Sequence, residues 1–284
     1  MTVNDITNSA RKQLIPLYGS REAEAMLRLV WEHLRGWQPV DIILHRDEEI
    51  GLSLTNDLDA ILARLLKGEP IQYILGEARF FGLNLKVNSS VLIPRPETEG
   101  LVQLIVDEYG SRSDLKVLDI CTGSGAIAIA LARHLPFSQV TATDISGEAL
   151  KVAEENVKSL NLRIRFVEED ILSSAKIDST YDIIVSNPPY VLESEKDRMK
   201  SNVLNYEPSE AIFAPKDDDI AFYREISRKA YDALTPGGEL YFELNPLTAT
   251  EVKSYVEKVG FDDVETLPDI HGRIRYLKAR KPNR

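Results

Sequence analysis

Residues 116–135 read KVLDICTGSGAIAIALARHL. Lys116 to Ile120 has the length and composition of a buried strand, Cys121 to Gly125 is a loop with two glycines, and Ala126 onward carries apolar residues at helical spacing. Strand, glycine turn and helix together open a βαβ unit. The alternation continues downstream. QVTATD (139–144) reads as a second strand and GEALKVAEENVKSL (147–160) as a helix. IRFVEED (164–170) and YDIIVSN (181–187) read as strands three and four. IAFYREISRKAYDAL (220–234) is a helix stopped by TPGG (235–238), and ELYFEL (239–244) is strand five. Such a pattern predicts an α/β fold, a doubly wound parallel sheet with its ligand crevice at the carboxyl ends of the strands. The residues capable of chemistry cluster at those ends.

Upstream the periodicity differs. Met26, Leu27, Val30, Trp31 and Leu34 fall on one helical face that ends at Gly36. Leu58, Ile61, Leu62, Leu65 and Leu66 fall on another, stopped by Gly68 and Pro70. From Ala78 to Ile93 the chain turns β-like, with Asn88-Ser89-Ser90 as the expected hairpin turn. The expected organisation is a helical domain over 1–75, a hairpin linker over 76–94 and an α/β domain over 95–284.

Composition narrows the function classes. The 284 residues are 43% hydrophobic, enough for a packed core. No apolar run approaches a membrane span, and MTVNDITNSARKQL has neither the basic nor the apolar region of a signal peptide. One cysteine, Cys121, excludes a disulfide framework, and the scattered His33, His45, His134 and His271 match no metal-ligand spacing. These features predict a soluble protein of the reducing cytoplasm without a bound metal. A net charge of -11 opposes a polyanionic partner, and the basic KARKPNR tail reads as a solvated end.

Gly123, Gly125 and Ala128 satisfy the loose nucleotide fingerprint G-x-G-x-x-G/A, with backbone amides at a helix N-terminus. Asp144, at the end of strand two, is placed to accept hydrogen bonds from ribose hydroxyls. It could instead cap the next helix, but Ser146 can do that. Asp119 stands just before the glycine loop, where a pyrophosphate would be repelled and a cation welcomed, and Asp170 can accept from an adenine amino group. S-adenosylmethionine, with a sulfonium, a ribose, an adenine and no phosphate, suits three acidic strand ends better than a dinucleotide does.

Strand four ends in VSNPPY (185–190), where two prolines stop the strand and stiffen the loop after it. The side-chain oxygen of Asn187 and the carbonyl of Pro188 can each accept one hydrogen of a planar –NH2 group. Held that way, the delocalised nitrogen is fixed and its lone pair aimed at a sulfonium methyl. Pro189 adds rigidity, and the Tyr190 ring offers a face for the flat group. A glutamine amide and an adenine both meet this description.

Beyond these motifs, GEPIQYILGEARFFGLNLKVNSSVLIPRPETE (68–99), NYEPSEAIF (205–213) and DIHGRIRYL (269–277) complete a pattern over nearly the whole chain. In it the sequence resembles the release factor glutamine methyltransferases, the HemK/PrmC type of protein-(glutamine-N5) methyltransferase. IPRPETE (93–99) is its most specific segment, because adenine methyltransferases share the clamp without it. The resemblance implies a Rossmann-like class I methyltransferase sheet, S-adenosylmethionine as cofactor, and methylation of the Gly-Gly-Gln glutamine of bacterial class I peptide release factors. It further implies cofactor contacts at Cys121, Thr122, Gly123, Ser124, Gly125, Asp144, Asp170, Ile171 and Asn187. The glutamine would be held by Asn187, Pro188, Pro189 and Tyr190, with Asn187, Pro188 and Tyr190 catalytic. An amino methyltransferase acting on adenine is the alternative, and it would want a basic target-recognition region that this acidic chain lacks. A degenerate fold serving only for binding would lose the glycine loop or the clamp, and both are intact. The chain departs from the family at Ala214–Asp219, at Asn245-Pro246, and at Gly100, where a large apolar residue is usual.

Overall fold

The computed structural model describes residues 1–283, and the chain divides into two compact units. Met1–Gly76 and Lys200–Tyr206 form the first, Glu77–Met199 and the chain from Glu207 onward the second.

The first unit is helical. Helix α1 (Val3–Arg35) is broken at Gly19 (φ 76°, ψ 163°), and α2 (Pro39–Leu44), α3 (Leu52–Leu65) and α4 (Ile71–Leu75) follow. Thr2 and Asp5 close a capping box at the start of α1. Leu14, Leu27, Val30, Trp31, Leu58 and Leu65 share one core. Trp31 is fully buried and donates its indole N–H to Thr7 Oγ1 at 3.1 Å. Of the face predicted on α3, Leu58 and Leu65 are buried and Leu66 is exposed.

The second unit opens with the hairpin β1 (Glu77–Phe80) and β2 (Leu83–Lys86), then α5 (Pro96–Tyr109), β3 (Lys116–Ile120) and α6 (Ala126–His134). Next come β4 (Gln139–Asp144), α7 (Gly147–Ser159), β5 (Arg165–Glu168) and β6 (Tyr181–Ser186). Helix α8 (Ser201–Tyr206) groups with the first unit, where Tyr206 donates to the carbonyl of Lys67 at 3.0 Å. The chain then forms α9 (Ala221–Ala233), β7 (Leu234–Glu243), α10 (Ala249–Val259), β8 (Asp262–Pro268) and β9 (Ile274–Arg280). The sheet order is β5-β4-β3-β6-β7-β9-β8, and β9 runs antiparallel to both its neighbours. Alternate residues of β6 feed opposite layers. Ile183 and Val185 join the core with α5, α6 and the hairpin, and Ile184 joins the core with α9 and α10.

Three features correct the sequence reading. The hairpin turns at Phe81-Gly82, with Phe80 paired to Leu83, and not at Asn88-Ser89-Ser90. Both turn residues have positive φ (48° and 74°), the primed geometry that matches strand twist. Phe81 is held there because Glu99 accepts its amide at 2.9 Å and His134 meets its ring edge-on. Second, α9 does end just before Thr235–Gly238, but β7 already starts at Leu234, so those residues form an irregularity within the strand. Third, β8 and β9 extend the sheet beyond strand five.

The hairpin belongs to the α/β core. Phe80 and Leu85 are fully buried in it. Asn156 of α7, also fully buried, accepts from Lys86 N and donates to the carbonyls of Lys86 and Ser124, joining the hairpin to the glycine loop. Gly100 is explained as well. A Cβ there would stand 2.1 Å from the Tyr276 hydroxyl, which donates to the carbonyl of Glu97. The tyrosine occupies the space a larger residue at 100 would need. Among the described residues no helix is long and apolar enough to cross a membrane.

Candidate active site

Strand register brings the distant motifs together. Ile120 pairs with Thr143 on one side and Ser186 on the other, so Cys121, Asp144 and Asn187 leave adjacent strand ends side by side. They open onto a cavity of about 230 Å³ at the carboxyl edge of β3, β4 and β6, where such sheets bind ligands.

The glycine loop is braced from below by Asp119. This residue is fully buried, and its Oδ2 accepts from Thr122 Oγ1 (2.6 Å) and Ala128 N (3.1 Å). Burial pushes its carboxyl up to about 7, against the pull of those two hydrogen bonds. Asp119 is absent from the cavity wall, so the direct welcome for a cation expected of it is replaced by a structural role. The loop amides also differ from expectation. Thr122 N donates to the Thr143 carbonyl, Gly123 N to Asp144 Oδ2 (2.8 Å) and Gly125 N to the Thr122 carbonyl. These groups and Ala128 N are engaged internally, so four of the amides around the glycine loop are spent within the protein.

Asp144 is half-buried in the wall, accepting from Gly123 N and, through Oδ1, from Ser146 N at 3.0 Å. Each oxygen retains a second lone pair. Burial raises its carboxyl above the ordinary range against three backbone N–H groups. Ser146 caps α7 by accepting from Ala149 N, which leaves Asp144 to the cavity. Asp170 also lines the wall, its Oδ1 accepting from Leu172 N. With Glu169 and Glu210 they make four carboxylates, and no lysine or arginine stands among the lining residues. A phosphate is disfavoured here and a cation favoured.

Of the residues expected to hold cofactor, Cys121, Gly123, Asp144, Asp170, Ile171 and Asn187 line the cavity, whereas Thr122, Ser124 and Gly125 lie behind it. Cys121 adopts φ 61°, which turns the chain sharply off the strand end. Of the expected clamp, Asn187 and Pro189 are in the wall, and Pro188 and Tyr190 are not. Asn187 Nδ2 donates to Thr98 Oγ1 at 3.2 Å. The Tyr190 ring packs in the α9–α10 core, and its hydroxyl donates to Glu243 Oε1 at 2.8 Å. The ring expected to offer a face for the flat group is thus braced at its hydroxyl.

Other wall residues carried no chemical signal of their own. Val91, Leu92, Ile145, Leu172 and Phe222 supply its apolar surface. The IPRPETE and NYEPSEAIF motifs meet through Glu207, which accepts from Ile93 N (3.0 Å) and Arg95 Nη2 (2.6 Å) and so fixes the approach to Glu210. At the departure Asn245, Nδ2 donates to the Tyr190 carbonyl (3.1 Å) and to Glu195 Oε2 (2.6 Å), which secures the loop after the prolines. At the departure 214–219, Asp218 pairs with Arg224 and accepts from Ile220 N.

The Methyltransferase small domain family matches residues 98–206, and the PrmC N-terminal domain family matches residues 5–76. The chain is 42% identical over 280 residues to the release factor glutamine methyltransferase of Bacteroides thetaiotaomicron, covering 98% of this chain and 100% of that one. It is 44% identical over 258 residues to the release factor glutamine methyltransferase of Streptococcus pneumoniae, covering 90% and 91%. Among solved structures, a methyltransferase from Pyrococcus furiosus superposes with a TM-score of 0.52 at 23% identity, covering 78% of this chain and 97% of that one. That likeness shows a shared fold.

Proposed function

The chain belongs to the release factor glutamine methyltransferase family, and from that premise we propose that it methylates the Gly-Gly-Gln glutamine of bacterial class I peptide release factors on its side-chain amide nitrogen. S-adenosylmethionine, when bound, supplies an electrophilic methyl on a cationic sulfur. Asp144 would accept from its ribose and Asp170 from its adenine amino group, and the carboxylate-lined wall would favour its positive charge. Asn187 Oδ1 and the Pro188 carbonyl each accept one amide hydrogen of the glutamine, which holds the nitrogen toward the methyl. Transfer of that methyl to the amide nitrogen would leave the cofactor as a neutral thioether, with the displaced amide proton passing to solvent.

One observation carries this reading: Asn187 stands in the cavity wall with Nδ2 engaged by Thr98, so its oxygen remains for a donor. The helical unit docks the protein substrate, a role supported by Val40, Ile43, Leu44 and Leu52, exposed on and just after α2. A single cysteine and a translation-factor substrate fit the cytoplasm. The proposal is tested by incubating the protein with labelled S-adenosylmethionine and either release factor or duplex DNA. Label should enter the release factor alone, and label in DNA instead would overturn it.

A further inference from the structure

An asparagine amide is nearly symmetric in shape, so nothing steric tells the clamp which end to present. Turned one way, Asn187 offers its oxygen to a substrate –NH2. Turned the other way it sets donors against donors, and the clamp is dead. We propose that Thr98 and Glu243 are positioning residues that impose the productive orientation on Asn187; this rests on the reading of Asn187 as the acceptor for the substrate amide.

Glu243 lies at the end of β7, 1% exposed and outside the cavity wall. Oε1 accepts from the Tyr190 hydroxyl at 2.8 Å and Oε2 from Thr98 Oγ1 at 2.7 Å. A carboxylate only accepts, so the single Thr98 proton points at Glu243. Thr98 Oγ1 then has only lone pairs left for Asn187, and the amide must bring its Nδ2 there, as it does at 3.2 Å. Reversing the amide would place oxygen against oxygen in a site where Thr98 is 4% exposed, leaving buried polar groups unmatched. The polarity thus runs one way, from carboxylate to hydroxyl to amide. Because Glu243 also holds Tyr190, one buried carboxylate fastens both ends of the Asn-Pro-Pro-Tyr loop. It also accounts for the pairing of two distant motifs: Thr98 comes from IPRPETE, 89 residues before Asn187.

The groups facing Glu243 are Tyr190 from the loop, Glu97 beside Thr98 at the start of α5, Arg275 and the register partner Tyr276 from β9, and Tyr223 from α9, whose hydroxyl donates to the Glu243 carbonyl. Arg275 favours the carboxylate and Glu97 opposes it. Burial raises the Glu243 carboxyl above the ordinary range. Once protonated, Glu243 can donate to Thr98, and the chain of donors loses its direction. Turnover therefore falls on the acid side, at a pH above that of an ordinary glutamate.

The test measures kcat, its pH profile and calorimetric cofactor affinity in full-length Thr98→Ser, Thr98→Val, Glu243→Gln and Asn187→Ala. Thr98→Val should lower kcat about tenfold, the effect of one lost orienting hydrogen bond, with cofactor affinity unchanged. Thr98→Ser restores the hydroxyl and should restore turnover. Glu243→Gln should also lower kcat and lack the acid limb of the wild type. Wild-type kcat in Thr98→Val, no rescue by Thr98→Ser, weakened cofactor binding in Thr98→Val, or an unchanged acid limb in Glu243→Gln each overturns the proposal. If Asn187→Ala itself turns over normally, the clamp reading has failed. If Asn187→Ala is crippled while Thr98→Val is not, only the positioning role has.

Discussion

Asp119 and Asp144 sit at neighbouring strand ends, and side-chain direction separates their roles. Asp119 points beneath the glycine loop, where Thr122 and Ala128 bind one oxygen and the other is buried without a partner. Its carboxyl, pushed up to about 7, carries a stability signature. A folded-state value raised above the unfolded one, about 3.9, stabilises at low pH, and that contribution is lost as pH rises toward 7. Between about pH 5 and 7 the wild type should therefore lose stability relative to Asp119→Asn, by an amount on the order of a few kcal/mol. Thermal melts of the two proteins without cofactor read this directly, since groups common to both cancel. Parallel curves across that range would show that Asp119 titrates normally. The sequence marked Asp144, Asp170 and Asn187 as wall residues because strand ends in a parallel sheet point at the crevice. It could not mark Glu243, whose importance comes from two hydrogen bonds made by residues 53 and 145 positions away.

The helices and strands themselves were legible wherever local pattern and tertiary role agree. The strands β3 to β6 and the helices α6, α7 and α9 fall within a residue or a few of the segments where the apolar spacing places them. The hairpin turn escaped because Phe81 takes a positive φ that its own chemistry does not favour, under contacts from Glu99 and His134 that only folding supplies. Helix α2 raises a different question, for none of its residues is buried and Ile43 and Leu44 are 67% and 74% exposed. A short helix with that much open apolar surface suits a docked protein. Replacing Ile43 and Leu44 together by serine should raise KM for release factor severalfold, leaving cofactor affinity and the melting temperature in place. An unchanged KM would remove α2 from the docking surface.

At the scale of the whole molecule, charge and architecture point the same way. A net charge of -11 and a cavity walled by carboxylates suit a cationic methyl donor and a protein substrate, and they disfavour a nucleic acid. The strand order is the frame that makes this possible, setting the glycine loop, Asp144 and Asn187 side by side from separate parts of the chain. The central claim is that the methyl goes to one glutamine amide. It is tested most directly by transfer from labelled S-adenosylmethionine to two release factors, one with its Gly-Gly-Gln motif intact and one with that glutamine replaced by alanine. Fragment mass spectrometry then locates the added methyl. The account predicts one methyl on the glutamine of the intact protein and none on the altered one, and equal labelling of both would contradict it.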